Sequence, residues 1–289
     1  MIVSAIQMQC TENPSENIAN AEKLVRKAAS QNANLILLPE LFERNYFCQE
    51  RKYEYYQFAA PVQENPAVQH FSKLCKELKI VMPISFYEKE QNRLFNSIAM
   101  LDADGEILGV YRKTHIPDDH FYQEKFYFTP GDTGFRVWNT AYGKVGVGIC
   151  WDQWFPETAR AMALQGAEIL CYPTAIGSEP ILNCDSMPHW RRCMQGHAAA
   201  NIISVIAANR YGLESVKPCA ENANQESSLL FYGSSFITDE TGEILQQADR
   251  ESDAVLIQEL DLDQINKARL EWGLFRDRRP ECYQILTKQ

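Results

Sequence analysis

Three residues of this chain stand where a catalytic thiol site would need them. Cys150 follows the apolar run Gly146-Val147-Gly148-Ile149 and precedes Trp151-Asp152, the pattern of a strand, a turn and a helix. Such an elbow projects a side chain at the end of a sheet and can leave backbone N–H groups facing the same space. A thiol needs a base or a lowered pKa before it attacks. Glu40 directly follows Leu35-Ile36-Leu37-Leu38-Pro39, and a desolvated carboxylate at a strand end can serve as that base. Lys113 closes Gly109-Val110-Tyr111-Arg112, and its ammonium can stabilise a tetrahedral oxyanion. Taken singly, each has a plain alternative: a core thiol, a solvated loop glutamate, a surface lysine. Together they share one position, the C-terminal end of a predicted strand, where open α/β sheets place their sites.

The elements that must carry these residues are legible. Residues 2–8 and 34–38 read as strands, with a helix between them opened by Asn13-Pro14-Ser15-Glu16. A helix over 66–78 leads to a strand over 80–88. Strands over 94–101 and 106–112 are joined by Asp102-Ala103-Asp104-Gly105, a hairpin turn. The strand 144–149 ends at Cys150; then come a helix over 156–165, a strand over 168–172, a helix over 186–200 and a strand over 202–208. A second hairpin is predicted over 229–247, then a strand over 254–259 and a helix over 263–271. This alternation predicts an α/β layered fold with mixed sheets in a single domain, 1–289. Segments 41–58 and 210–228 are polar and irregular, hence candidate lids or contact surfaces.

Composition narrows the function classes. A net charge of −10 disfavours a nucleic-acid partner, which calls for clustered Lys and Arg. No apolar run reaches about 18 residues, so no membrane span is expected. The N-terminus carries no basic leader, and nine cysteines occur without CxxC pairs, which fits reduced thiols in the cytoplasm. The five histidines form no zinc pattern, so neither metal nor cofactor is expected.

Leu38-Pro39-Glu40, Tyr111-Arg112-Lys113 and Gly148-Ile149-Cys150-Trp151-Asp152 resemble, in order, the three signatures of the nitrilase superfamily of carbon–nitrogen hydrolases. The resemblance implies an α-β-β-α four-layer sandwich and a homo-oligomer, with the tail 272–289 in subunit contacts. It implies Glu40 as general base, Lys113 as oxyanion stabiliser and Cys150 as nucleophile. Glu124 matches the family's second glutamate, and the Trp151 N–H would complete the oxyanion hole.

The segments around His115-Ile116-Pro117-Asp118, Tyr122-Gln123-Glu124-Lys125 and Cys150–Glu157 resemble most the N-carbamoylputrescine amidohydrolases within that superfamily. That branch takes a small cationic ureide, so an anion is expected at the far end of an apolar slot. Glu179 is the expected anchor, with Asp118 and Asp119 as other acids, and Tyr122, Trp151 and Trp154 as walls. Arg191 and Arg192 leave a competing reading open: a carboxylate site for N-carbamoyl-β-alanine or another N-carbamoyl acid, beside an ω-amidase. A non-catalytic binding protein of the same fold is the rival of another class.

Overall fold

Asn13 opens the first helix by accepting the Ser15 N–H (3.0 Å), with Pro14 in the first turn. Asn65 repeats the device on the second, accepting the Val68 N–H (3.0 Å) ahead of Pro66. The computed structural model describes residues 1–178 and 184–288. In chain order its elements begin β1 (Ile2–Gln7), α1 (Pro14–Ala29), β2 (Leu35–Leu37), α2 (Pro66–Leu78), β3 (Met82–Glu90), β4 (Arg93–Leu101) and β5 (Ile107–Arg112). The middle supplies β6 (Val137–Thr140), β7 (Gly143–Val147), α3 (Pro156–Leu164), β8 (Ile169–Thr174), β9 (Gly177–Ser178), α4 (Met187–Asn201) and β10 (Ser204–Asn209). The last third holds β11 (Tyr211–Val216), β12 (Ser227–Tyr232), β13 (Phe236–Thr238), β14 (Ile244–Gln247), β15 (Ala254–Glu259) and α5 (Leu262–Trp272).

One sheet runs β15-β1-β2 and is joined through the parallel bridge Leu35↔Val81 to β3-β4-β5. The other runs β14-β13-β10-β8-β7-β6. Three apolar layers hold four structural layers together. Leu24, Val25 and Phe71 pack α1 and α2 on the first sheet. Val3, Leu37, Val147 and Ile206 fill the space between the sheets, and Met162, Trp190 and Phe236 pack α3 and α4 on the second. Strands buried on both faces read as continuous apolar runs, which is why β1, β2, β8 and β10 were legible. The architecture is an α-β-β-α sandwich.

Residues 211–232 depart from the expected loop and hairpin. β11 pairs antiparallel with β12, which also pairs with β9, and this small sheet stands apart from the β13–β14 hairpin. The hairpin is therefore 236–247, not 229–247. The alternation on β11 is inverted, with Leu213 60% exposed and Glu214 buried, so hydropathy alone hides the strand. β6 is likewise absent from the sequence reading; it pairs with β7 at the edge of the second sheet.

Candidate active site

The segments after β2, β5 and β7 meet between the two sheets. Glu40 follows β2 and the chain turns at once, Leu41 adopting a left-handed backbone (φ 46°) with its N–H on Ser85 Oγ (2.9 Å). Cys150, past β7, does the same with φ 42°. Such conformations cost on the order of 1–3 kcal/mol each and persist where neighbours over-determine them. At Cys150 the chief neighbour is the fully buried Asp152. Its Oδ2 accepts the Ile149 N–H (2.9 Å) and the Tyr111 hydroxyl (2.7 Å), while its Oδ1 accepts the His115 N–H (3.0 Å) and meets His115 Nδ1 (2.7 Å). The turn carrying Cys150 is thereby tied to the segment after Lys113. Gly148 permits the close approach, since a Cβ there would stand 2.9 Å from the Tyr172 ring.

Lys113 is the centre of the site and is fully buried. Its Nζ donates to Glu40 Oε1 (2.8 Å) and to both oxygens of Glu124 (2.9 and 2.7 Å). Asn96 Nδ2 adds a bond to Glu40 Oε1 (2.7 Å), and the Tyr46 hydroxyl one to Glu124 Oε1 (2.6 Å). Glu40 Oε2 is buried and has no hydrogen-bond partner among the described residues. A buried carboxylate oxygen left open is costly in a merely structural role and useful in a group that must accept a proton.

Charge divides the roles. Burial opposes the Lys113 cation, but Glu124 and Glu40 outweigh it and hold its pKa well above the ordinary lysine value. Burial pushes the Glu124 carboxyl up to about 7 against the pull of Lys113. Burial, then the Glu40 charge, raise the Cys150 thiol well above its ordinary value, with Lys113 opposing. Cys150 thus rests as a neutral thiol, here donating to the Ala175 carbonyl (3.7 Å), and would have to lose its proton to act as a nucleophile.

A cleft of about 320 Å³ opens at Cys150. Tyr122, Trp151 and Trp154 line it, together with Asp119, Ile176 and His189. The Tyr122 hydroxyl accepts the Gly177 N–H (3.1 Å), and Trp151 meets Trp154 edge to face at 6.3 Å. Asp118 is not on this wall. It faces outward toward Arg51 (3.8 Å), whereas Asp119, also exposed, lines the cleft, its Oδ1 accepting the Phe121 and Tyr122 N–H groups (2.8 and 2.9 Å). Glu179 lies outside the described residues. Arg191 donates to Gln247 Oε1 (2.7 Å) and Arg192 lines a separate groove against α3 and α4, so neither lines the cleft.

Asn96, Tyr46 and Asp152 were missed from sequence. Asp152 carried a signal, an acid two residues past a turn-borne cysteine and able to cap that turn. Asn96 and Tyr46 carried none, since their partners are distant in the chain. A thiol, a carboxylate with one open oxygen and a fixed cation beside an aromatic slot are the parts of a thiol acyl-transfer site.

The family model described as carbon-nitrogen hydrolase matches residues 2–270. An N-carbamoylputrescine amidase from Oryza sativa subsp. japonica is 54% identical, the match covering 98% of this chain and 93% of that relative. A citrullinase from Francisella tularensis is 51% identical over 99% of this chain and 98% of its own. The crystal structure of a carbon-nitrogen hydrolase from Helicobacter pylori G27 superposes with a TM-score of 0.91 at 36% identity, covering 100% of this chain and 99% of that one. With its sandwich fold and a match along nearly its whole length, this chain belongs to the carbon–nitrogen hydrolase family.

Proposed function

We propose that the protein hydrolyses N-carbamoylputrescine to putrescine, carbon dioxide and ammonia. The observation that carries the chemistry is Lys113 bonded to both Glu40 and Glu124 while Glu40 Oε2 stays open. Glu40 takes the proton of Cys150, and the thiolate attacks the carbamoyl carbon. Lys113 and the Trp151 backbone N–H hold the oxyanion. The leaving nitrogen departs with the proton from Glu40; water, deprotonated by Glu40, then attacks the thioester. Glu40 returns that proton to Cys150, and the carbamic acid released loses carbon dioxide to free the second amine. Removing one donor to such an oxyanion costs on the order of 10²–10³ in rate.

The substrate reading rests on the rice relative's name and on the cleft. Among its described lining residues Asp119 is an acid and none is Lys or Arg, which suits a cationic chain end better than a carboxylate. The citrullinase relative supports a second reading, since citrulline is a ureide bearing an α-carboxylate as well as an ammonium. Ammonia release from N-carbamoylputrescine, citrulline and N-carbamoyl-β-alanine, with Cys150→Ala as blank, separates the readings. The expected order puts the putrescine compound first. A preference for citrulline moves the assignment to the second reading, and a preference for N-carbamoyl-β-alanine overturns the cationic slot.

We infer too that the protein works as a homo-oligomer. Leu270, Trp272, Ile285 and Leu286 are exposed on α5 and the tail, an apolar set of the kind that subunit contacts cover. A monomeric mass in solution would overturn this.

A further inference from the structure

β10 is followed by Arg210, an arginine that the chemistry above does not use. Arg210 is fully buried, and its guanidinium bonds the segment 40–44, which carries Glu40, and Glu214 on β11. Nη2 donates to the carbonyls of Glu40 (2.7 Å) and Leu41 (3.0 Å), and Nη1 to the carbonyl of Arg44 (3.0 Å) and to Glu214 Oε1 (2.9 Å). The other Glu214 oxygen accepts the Tyr46 N–H (2.5 Å), and the Tyr46 hydroxyl reaches Glu124 (2.6 Å). Since Lys113 bonds both Glu40 and Glu124, the contacts close into a ring that starts and ends at Arg210.

We propose that Arg210, with Glu214 and Tyr46, is the positioning assembly that fixes Glu40 and Glu124 about Lys113. Burying an arginine is expensive unless its donors are matched. Nη1 and Nη2 each make two bonds here, while Nε is buried without a partner among the described residues. A rigid fork with several N–H groups can hold three carbonyls where an ammonium cannot. The fork pins the left-handed Leu41 from the carbonyl side while Ser85 holds its N–H. A shift of this turn would move Glu40 against Cys150, and misplacement by about 1 Å can cost on the order of 10²-fold in rate. Glu214 explains the inverted strand: its charge faces inward because Arg210 is there to meet it.

The inference rests on the proposed roles of Glu40 and Cys150, so the test includes a readout that needs no substrate. Arg210→Lys keeps the buried charge and loses the fork. Tyr46→Phe removes only the hydroxyl on Glu124, which Lys113, Glu40, Cys48 and Cys150 also face. Turnover of N-carbamoylputrescine from pH 5 to 9 is measured beside the alkylation rate of Cys150 by iodoacetamide, mapped by peptide mass because Cys184 and Cys282 are exposed. Arg210→Lys is expected to lower kcat on the order of 10²-fold with KM within about threefold, and to slow alkylation of Cys150. Tyr46→Phe is expected to lower kcat about tenfold and to move the acid limb to higher pH, because the Glu124 carboxylate loses a donor. If Arg210→Lys does not fold, Tyr46→Phe decides. A folded Tyr46→Phe with wild-type kcat and pH profile, or a folded Arg210→Lys with wild-type alkylation, overturns the proposal. If the wild type turns over no ureide, the substrate reading fails while the alkylation comparison still stands.

Discussion

Cys150 and Cys193 each line a cavity, and the larger cavity belongs to Cys193. The groove against α3 and α4 holds about 910 Å³, against about 320 Å³ at Cys150. Cys193 Sγ even lies 3.8 Å from His197 Nε2, the pairing by which many thiol hydrolases make a thiolate. The electrostatics point the other way. Burial alone raises the Cys193 thiol, and burial lowers His197 to about 4, so the pair rests as neutral thiol and neutral imidazole. At Cys150 the thiol is equally neutral at rest, but the charges of Lys113 and Glu40 both act on it, and Glu40 keeps one buried oxygen without a partner among the described residues. Neither the size of a cavity nor a Cys–His contact is enough to make a nucleophile; on the proposed mechanism a base with an open oxygen does.

The largest test of this contrast is a pair of substitutions. Cys150→Ala is expected to lower ureide turnover on the order of 10⁴-fold or more, while Cys193→Ala stays within about twofold of wild type. Steady-state ammonia release on both proteins checks it, and a dead Cys193→Ala with an intact fold would break the comparison. Lys113→Met comes next, because it leaves two buried carboxylates without their cation. Turnover should fall on the order of 10²–10³-fold, and unfolding free energy should drop by about 3–5 kcal/mol in urea titration. An unchanged midpoint would mean that the buried charges are not held as described.

The smallest effect concerns pH. His197 has a folded pKa of about 4 against an ordinary 6.5, so the unfolded chain binds its proton first as pH falls. The stability this neutral histidine supplies is therefore complete above pH 6.5 and is lost between 6.5 and 4. Melting temperatures across that window should fall more steeply in wild type than in His197→Gln, with turnover at pH 7.5 little changed. Parallel curves would remove burial as the reason His197 stays neutral.

Glu40, Lys113 and Cys150 stood out in the sequence because each follows an apolar strand, where a polar or reactive side chain is conspicuous. The same criterion picks out Arg210, which follows β10 as Lys113 follows β5. It was passed over because an arginine before an irregular polar stretch reads as a surface charge. Asp118 and Asp119 show the opposite limit. Adjacent acids in a loop are equivalent in sequence, and only the turn that Asp119 makes with Phe121 and Tyr122 sets one against the cleft and the other toward Arg51. Likewise Arg191 and Arg192 could have been a carboxylate clamp until α4 was seen to carry them away from the cleft.

By itself, then, the sequence determined most strands of the two large sheets, the caps of the first helices and the strand ends that carry the candidate site residues. Those depend on period, capping and burial, which are local properties of a few consecutive residues. Tertiary structure alone decided which oxygen of Glu40 stays open, which aspartate lines the slot and which cysteine lies in the field of Glu40 and Lys113. Each is settled by a hydrogen bond or a charge between residues far apart in the chain, as between Lys113 and Glu40 or between Arg210 and the Glu40 carbonyl. Such contacts leave no periodic trace in the sequence.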